Sequence, residues 1–537
     1  MSSFYDDASL VVIPSGYKTS KVYAEKPTDG SGDLAFTRTG DTATRVNSAG
    51  LIEKVRTNLV TYSNSFSNAA WTKVGGTTLT AGQTDYLGGT NAWKWEATGA
   101  ATIQLAQNPA GSAIRTASIY AKAGNVSTIS LWIGSAVTFN LSTGTVTSGT
   151  GVITSVGNGW YRCSAFGADI SHNPYFIAAN SGDYVLVSFA QLETGDIATA
   201  YIPTTTAAVS VGPVANVPRL DYLGSTCPRL LLEPQRTNLY PYSEQLNQWT
   251  ASSATVTANY AVSPDGYTNA DRVVFAAGGL LYNGATGSAG QNTLSVYAKA
   301  TNGVSGQFRF FGNGNTTLST DQTATGEWQR FTFTYTYSAV TAGLAAPTTG
   351  GGVSDVIFWG FQHEIGAYAT SYIPTLAASA TRGADAASKT GISSLIGQTE
   401  GTLFLDFNLQ TTNEDFVIGQ IYNSSTPANS IYFYVTSTNV IEAFVDNSGT
   451  QARIIPPSAS AQGRYKLAIA YKANEFKYYV NGTLIGTDTS GTVPTCNSIN
   501  LIDYANGGGY MEKSAVNQYL IFKTSLTNAQ LAELTTL

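Results

Sequence analysis

A short motif, Arg56-Thr57-Asn58-Leu59 followed by Tyr62-Ser63, recurs as Arg236-Thr237-Asn238-Leu239 followed by Tyr242-Ser243. A self-match of this kind constrains a fold more than any local propensity, because each copy must be the same structural unit. The match continues in order. Trp71 corresponds to Trp249, Thr90-Asn91-Ala92 to Thr268-Asn269-Ala270, and Ser118 to Ala123 matches Ser295 to Ala300. Trp160 then matches Trp328, Gln191-Leu192-Glu193 matches Gln362-His363-Glu364, and Tyr201-Ile202-Pro203-Thr204 matches Tyr372-Ile373-Pro374-Thr375. The offset drifts by about ten residues while the order is kept, as happens when loops change length and strands do not. The chain contains a duplication.

Inside each copy, stretches of alternating or continuous apolar residues are separated by turn clusters. Thr128 to Ile133, Tyr184 to Ala190, Phe331 to Tyr337 and Val356 to Phe361 are examples. That is the pattern of an antiparallel sandwich. The composition agrees: 54 Gly, 31 Tyr and only 12% charged residues favour short strands and polar turns over long helices. An all-β fold of tandem antiparallel β-sandwiches follows, and 537 residues are enough for several of them.

The pattern divides the chain into a segment 1–55, a first copy 56–210, a linker 211–229, a second copy 230–385 and a last domain 390–537. Segment 1–55 has short candidate strands at Leu10 to Ile13, Lys21 to Glu25, Asp33 to Thr37 and Thr44 to Asn47. It carries too few apolar positions to fold alone, and is expected to dock on a partner chain or on identical copies of itself. Ala377 to Lys389 reads as a second linker. In the last domain Leu403, Leu405 and Phe407 share one strand face. Asn481-Gly482, between Glu475 to Val480 and Thr483 to Gly486, signals a type I′ hairpin. Thr527 and Gln530 have capping-box spacing, with Leu526 and Leu531 placed as a hydrophobic staple, so a short C-terminal helix is expected.

Several functions are disfavoured at once. The net charge is −6 and no run of Lys or Arg is present, so nucleic acid is not an expected partner. Cys163, Cys227 and Cys496 lie too far apart for a disulfide framework or a metal motif. No apolar run reaches the roughly 18 residues of a membrane span, so no membrane insertion is expected. The acidic start Ser2 to Asp7 and the short run Leu10 to Ile13 do not form a secretory signal, which points to synthesis in a cytoplasm without export.

Tyr465 to Thr487 with its Tyr-Val-Asn-Gly hairpin, and the ending Leu526 to Leu534, resemble a concanavalin A-like, laminin-G-type lectin domain. The duplicated unit resembles carbohydrate-binding-module jelly rolls. The whole resembles fibre or spike proteins of tailed bacteriophages. The residues carrying that likeness are Thr44-Arg45-Val46-Asn47, Gly50 to Glu53, Asn216 to Tyr222 and Leu230 to Leu239. The resemblance implies a virion fibre protein that attaches to host-surface or mucus glycans without catalysis. It would be made in the host cytoplasm, joined to other virion proteins through 1–55, and assembled as a homo-oligomer, a trimer. A glycan-degrading tailspike and a purely structural capsid or tail decoration protein are the alternatives.

For catalysis there are two histidines, His172 and His363; His363 sits where the other copy has Leu192, which reads as a half-buried strand residue. Glycosidase chemistry requires a pair of carboxylates, and Glu193 and Glu364 recur singly, so a structural role accepting backbone donors is expected. No cofactor is required. Jelly-roll modules often hold structural calcium, for which Asp85, Asp265, Glu193 and Glu364 are the right residue types, although no dense acidic loop is present. Sugar recognition uses aromatic faces and amides. The paired tryptophans read as core, as do Trp93 and Trp95. Trp132 and Tyr175, taken as a loop residue, are the surface candidates, together with Tyr504, Asn506 and Tyr510 in the glycine-rich loop of the last domain.

Overall fold

The computed structural model describes residues 4–110, 114–167, 172–284, 289–301, 306–338, 341–410, 414–502 and 513–537. The fold is all-β: three antiparallel sandwiches, with α-helices at Phe4–Asp7 and Asn528–Thr535 among the described residues.

The first copy has two six-stranded sheets. One runs Gly151–Gly157, Trp160–Gly167, Arg115–Ala123, Tyr184–Thr194, Ala92–Ala97, Thr77–Gln83. The other runs Thr145–Ser148, Ala136–Asn140, Thr128–Trp132, Asn173–Ala178, Ala101–Ala106, Thr72–Val74. Between them lie Trp71, Trp95, Ile119, Leu131, Phe139 and Phe176. In the second copy, strand Thr268–Asn283 passes through both layers. Its Asp271–Phe275 half pairs with Ser354–Ile365, and its Leu280–Asn283 half with Ala342–Ala345.

The repeated residues form a clasp that closes each copy. The entrance strand Arg56–Asn58 pairs with the exit strand Val209–Val211, and Arg236–Asn238 pairs with Ala380–Arg382. Asn58 Nδ2 donates to Ala190 O and Ile202 O while its Oδ1 accepts from Val60 N and Leu192 N. Asn238 does the same with Phe361 O, Ile373 O, Tyr240 N and His363 N. Ser63 and Ser243 bond the hydroxyls of Tyr201 and Tyr372 and accept the backbone N–H of Thr204 and Thr375. The motif recurs because a buried turn must satisfy the same backbone groups in both places.

The third sandwich redraws the sequence boundaries. Leu10–Val12 pairs with Tyr519–Ile521, and Arg229–Leu232 pairs with the other end of the same strand, at Ser514–Val516. In the second sheet, Leu34–Thr37 pairs with Ala386–Thr390. Leu10, Val12, Val22, Leu34, Phe36, Leu230 and Leu232 are all buried in one core with Leu403, Phe433 and Ile469. Segment 1–55 therefore is not a separate unit, and it docks on its own chain. Its few apolar residues complete a core supplied elsewhere, and its strands cover edges that would otherwise be open. Likewise, 211–229 contributes the strand Arg219–Asp221, and Ala377 to Lys389 contributes Ala380–Arg382 and most of Ala386–Thr390.

The result is a nested architecture. The second copy is inserted into the terminal sandwich between Leu232 and Ala386. The hairpin Thr44–Val46/Ile52–Lys54 lies on the second copy, with Val46 and Ile52 against Ala270, Trp359 and Tyr372. The first copy is inserted after that hairpin. On its own matching face, Phe189 stands where the second copy has Gly360, both with positive φ, and Tyr86 stacks on Tyr120 at 4.6 Å. The first copy thus fills with its own aromatics the space that a hairpin fills in the second.

Where these pieces meet, five charged side chains are fully buried. Arg219 bonds Glu233 at 2.6 Å and also Asp385; Arg38 bonds Asp385 at 3.1 Å and Arg382 bonds Glu233 at 3.0 Å. Burial alone would raise the Glu233 carboxyl, but Arg382 and Arg219 hold it well below the usual carboxylate range. The motif residues of Leu230 to Leu239 and Asn216 to Tyr222 are thus the seam that joins four chain segments.

Local expectations in the last domain match the structure. Asn481 and Gly482 have φ of 47° and 83° between Glu475–Val480 and Thr483–Asp488. Thr527 and Gln530 form the capping box, and Leu526 and Leu531 are buried with Phe404 on the outer side of the sheet.

Candidate functional site

In the first copy's sheet containing Thr128–Trp132, strict alternation sends Ile103, Leu105, Ile129, Leu131, Val137 and Phe176 into the core. The residues between them face outward. Register places Tyr175 opposite Ser130 on one side and Gln104 on the other, with Val74 beyond Gln104. Trp132 lies opposite Asn173, two residues before Tyr175. Trp132 and Tyr175 are therefore diagonal neighbours on one face, a spacing of roughly 7–8 Å that large rings can bridge. Trp132 is 43% exposed, and Ile177 and Val74 on the same face are 68% and 46% exposed.

Both first-copy candidates come together here, with one correction. Tyr175 is not in a loop; it belongs to strand Asn173–Ala178, where Pro174, Phe176 and Ala178 are buried and Tyr175 is the outward residue between them. The Asn173-Pro174 pair is the start of this strand. Sequence reading missed Gln104, Ile177 and Val74, whose signal was their alternation with core residues on neighbouring strands. Ser130 Oγ and Thr138 Oγ1 bond each other at 2.9 Å beside the rings, while the Asn173 Oδ1 acceptor has no partner among the described residues.

The second copy differs at these positions. By strand register, Phe311 stands in place of Trp132, Gly343 of Asn173, Ala345 of Tyr175 and Leu280 of Gln104. Phe311 is 1% exposed and meets Tyr282 edge-on at 6.2 Å. The duplication kept the clasp and changed this face.

Other candidates resolve into structure. Glu193 accepts the backbone N–H and the hydroxyl of Thr199, and Glu364 does the same with Thr370. Asp85 accepts from Leu87 N, Gly89 N and Asn91, and Asp265 from Ser263, Tyr267 N and Asn269. With their oxygens occupied in this way, the four carboxylates do not fit a calcium ion. Among the described residues no group of His, Cys, Asp or Glu converges as a metal site. His172 Nε2 lies 2.9 Å from Ser118 O, and His363 Nε2 lies 3.0 Å from Asn292 Oδ1. Both imidazoles are fully buried, His363 included, and burial pulls each down to about 4, so both are neutral core residues near pH 7.

A cleft of about 230 Å³ lies between the two copies, lined by Lys54, Arg56, Glu244, Asp265, Tyr267 and Asn269 among others. Its inner carboxylates are paired: Lys54 Nζ is 2.5 Å from Glu244 and 3.1 Å from Asp265, and Tyr372 donates to the other oxygen of Glu244. Arg56 donates to Tyr267 Oη at 2.7 Å. The cleft is a polar interface between modules. Tyr504, Asn506 and Tyr510 lie outside the described residues.

No helix among the described residues is long and apolar enough to cross a membrane. No characterised protein sequence matches the chain. Among solved structures, the carbohydrate-binding module CBM40 of the Ruminococcus gnavus IT-sialidase is 13% identical, covering 27% of this chain and 86% of that one, at a TM-score of 0.24. The NanB sialidase of Streptococcus pneumoniae is 12% identical, covering 28% and 26%, also at 0.24. The leech intramolecular trans-sialidase is 14% identical, covering 26% and 23%, at 0.23. Likeness this slight carries no weight for the function of this chain. The family finding is confined to the terminal sandwich: residues 383–532 match the concanavalin A-like lectin/glucanases superfamily, in its laminin G type 3 form.

Proposed function

We propose that the protein is a non-catalytic glycan-binding attachment protein, a virion fibre or spike whose first copy carries the sugar-binding face. The observation that carries this reading is the exposed Trp132 set diagonally to Tyr175 on an uncovered sheet, with the matching ring buried in the second copy. Aromatic faces bury the apolar side of a sugar ring, and the amide of Gln104 beside them supplies a hydroxyl partner. The lectin-type sandwich at 383–532 supports glycan binding. The inner carboxylates of the inter-copy cleft are held by Lys54 and Tyr372, which supports a structural role for that pair.

The virion assignment rests on the seam motifs and their resemblance to phage fibres. Contacts with other virion proteins would use the residues of 1–55 that the sandwich leaves exposed, such as Tyr5 and Tyr23. A homotrimer would add avidity of roughly 10²–10⁴ to a weak single site.

The test is binding of the intact protein to host cells before and after enzymatic removal of surface glycans. Trp132→Ala and Tyr175→Ala are compared with Leu484→Ala, an exposed position on the terminal sandwich. The expected result is a loss of about tenfold or more for either ring and none for Leu484→Ala. Unchanged binding in the ring variants refutes the site; shortened host polysaccharide after incubation refutes the non-catalytic reading.

A further inference from the structure

The charge pattern around the Trp132 face narrows its ligand. Residues 56–211 contain six cations: Arg56, Lys73, Lys94, Arg115, Lys122 and Arg162. Each is engaged away from the face. Lys73 points to the inner side of its edge strand and donates to Ser67 O and Asn68 O. Lys94 pairs with Glu96, and Arg115 donates to Pro109 O and Ala110 O. Lys122 donates to Asn158 O, Arg162 lies over the Tyr120 ring and donates to Ser118 Oγ, and Arg56 reaches Tyr267. The outward residues of the six-stranded sheet that register identifies, including Thr102, Gln104, Ser130, Thr138 and Asn173 around the rings, carry no charge of either sign.

A sugar carboxylate or sulfate laid on this face would lose water and gain no cation, a cost that neutral hydroxyls avoid by bonding amides and hydroxyls. Among the described residues the exposed rings and apolar side chains of this face lie on flat strands, with Trp132, Val74 and Ile177 open to solvent. From the strand of Trp132 to the strand of Val74 is three strand spacings, about 14 Å at roughly 4.8 Å each, a length that suits a run of sugars. Resting on the glycan reading above, we infer that the first copy binds internal segments of neutral glycan chains, and that acidic glycans are not its ligands.

The experiment is affinity electrophoresis of the full chain through gels containing neutral polysaccharides (laminarin, galactomannan, pullulan) or acidic ones (polygalacturonate, polysialic acid), at 20 and 150 mM salt. Trp132→Ala, Tyr175→Ala and Gln104→Lys are run in parallel, and thermal melts confirm that each variant is folded. The expected result is retardation by at least one neutral polysaccharide that weakens tenfold or more in Trp132→Ala. Acidic gels should give none at 150 mM salt, except for a salt-sensitive gain in Gln104→Lys. Retardation by an acidic polysaccharide that Trp132→Ala abolishes overturns the neutral class and leaves glycan binding by this face standing. Neutral binding indifferent to both ring variants overturns the placement of the ligand. Retardation by no polysaccharide of either class overturns this inference, and host-cell binding that also ignores glycan removal takes the glycan reading with it.

Discussion

Replacing Asn58 by alanine removes four buried hydrogen bonds at once. Nδ2 donates to Ala190 O at 3.2 Å and Ile202 O at 2.7 Å, and Oδ1 accepts from Val60 N at 3.3 Å and Leu192 N at 3.2 Å. The side chain is fully buried, so each abandoned backbone group costs about 1 kcal/mol or more, about 4 kcal/mol together. For a module of about 155 residues, 1 kcal/mol moves the melting temperature by roughly 2–4 °C, giving a fall of about 10 °C. Differential scanning calorimetry reads this directly. The first copy has adjacent ends and self-filled aromatic faces, so it melts as a transition of its own. Asn58→Ala lowers that transition by about 10 °C and leaves the remainder in place. Asn238→Ala, the same change in the second copy, lowers the other transition, which the second copy shares with the terminal sandwich through the buried Arg219, Glu233 and Asp385. If Asn58→Ala shifts neither transition, the clasp is not a source of stability. If it shifts both equally, the copies do not unfold as separate units.

The same architecture gives four further expectations. Glu233→Ala leaves Arg382 without its carboxylate partner and removes one of the two carboxylates bonded to Arg219, in full burial; a loss of about 3–5 kcal/mol in denaturant unfolding is expected. Deleting 56–211 and joining Val55 to Gly212 leaves a folded remainder, because Arg56 and Val211 are already strand partners; circular dichroism and a retained second transition check it. Asp271 is raised to about 7, chiefly by burial, with bonds from Asn259 and Leu246 N–H opposing and Asp196 adding to the rise. Its folded form holds a proton that the unfolded chain, with a pKa near 3.9, has lost, so its contribution is present below about pH 4 and fades as pH climbs to 7. The loss is up to about 4 kcal/mol, and a stability–pH curve flattened over that window in Asp271→Asn checks it. Cys227 is exposed, whereas Cys163 and Cys496 are buried, with burial pushing the Cys496 thiol up to about 12. A thiol reagent should therefore modify one cysteine per native chain and three after denaturation.

What was legible in the sequence was local or repeated. Asn481-Gly482 and the Thr527–Gln530 box specify their own backbone, and the Arg-Thr-Asn-Leu clasp announced itself by recurring. The pairing of Leu10–Val12 with Tyr519–Ile521 was not legible, because a three-residue apolar strand carries no information about a partner at the other end of the chain. The buried charges were hidden for a related reason. Arg38, Arg219, Glu233, Arg382 and Asp385 are scattered over four segments, and nothing in their spacing shows that they converge. Trp132 was found by being unmatched between copies. Tyr175 was found for the wrong reason, as a loop residue when it lies in a strand, and Gln104 and Ile177 were missed because register across strands fixes them.

The pairing at the chain's two ends also sets an order of events. Ser9 Oγ donates to Ile521 O, 512 residues further on. At roughly 5–20 residues per second, the first strand leaves the ribosome about 25–100 s before its partner exists. During that interval Leu10, Val11 and Val12 are an uncovered apolar edge. Both inserted copies are complete before the partner emerges, and each, once folded, draws its two ends to within one strand spacing. Folding of the copies takes roughly 300 of the intervening residues out of that loop, and because closure cost grows only with the logarithm of loop length the saving is about 1 kcal/mol. The sandwich into which the copies are inserted is the part that finishes last, and folding of the copies eases its closure by that small amount.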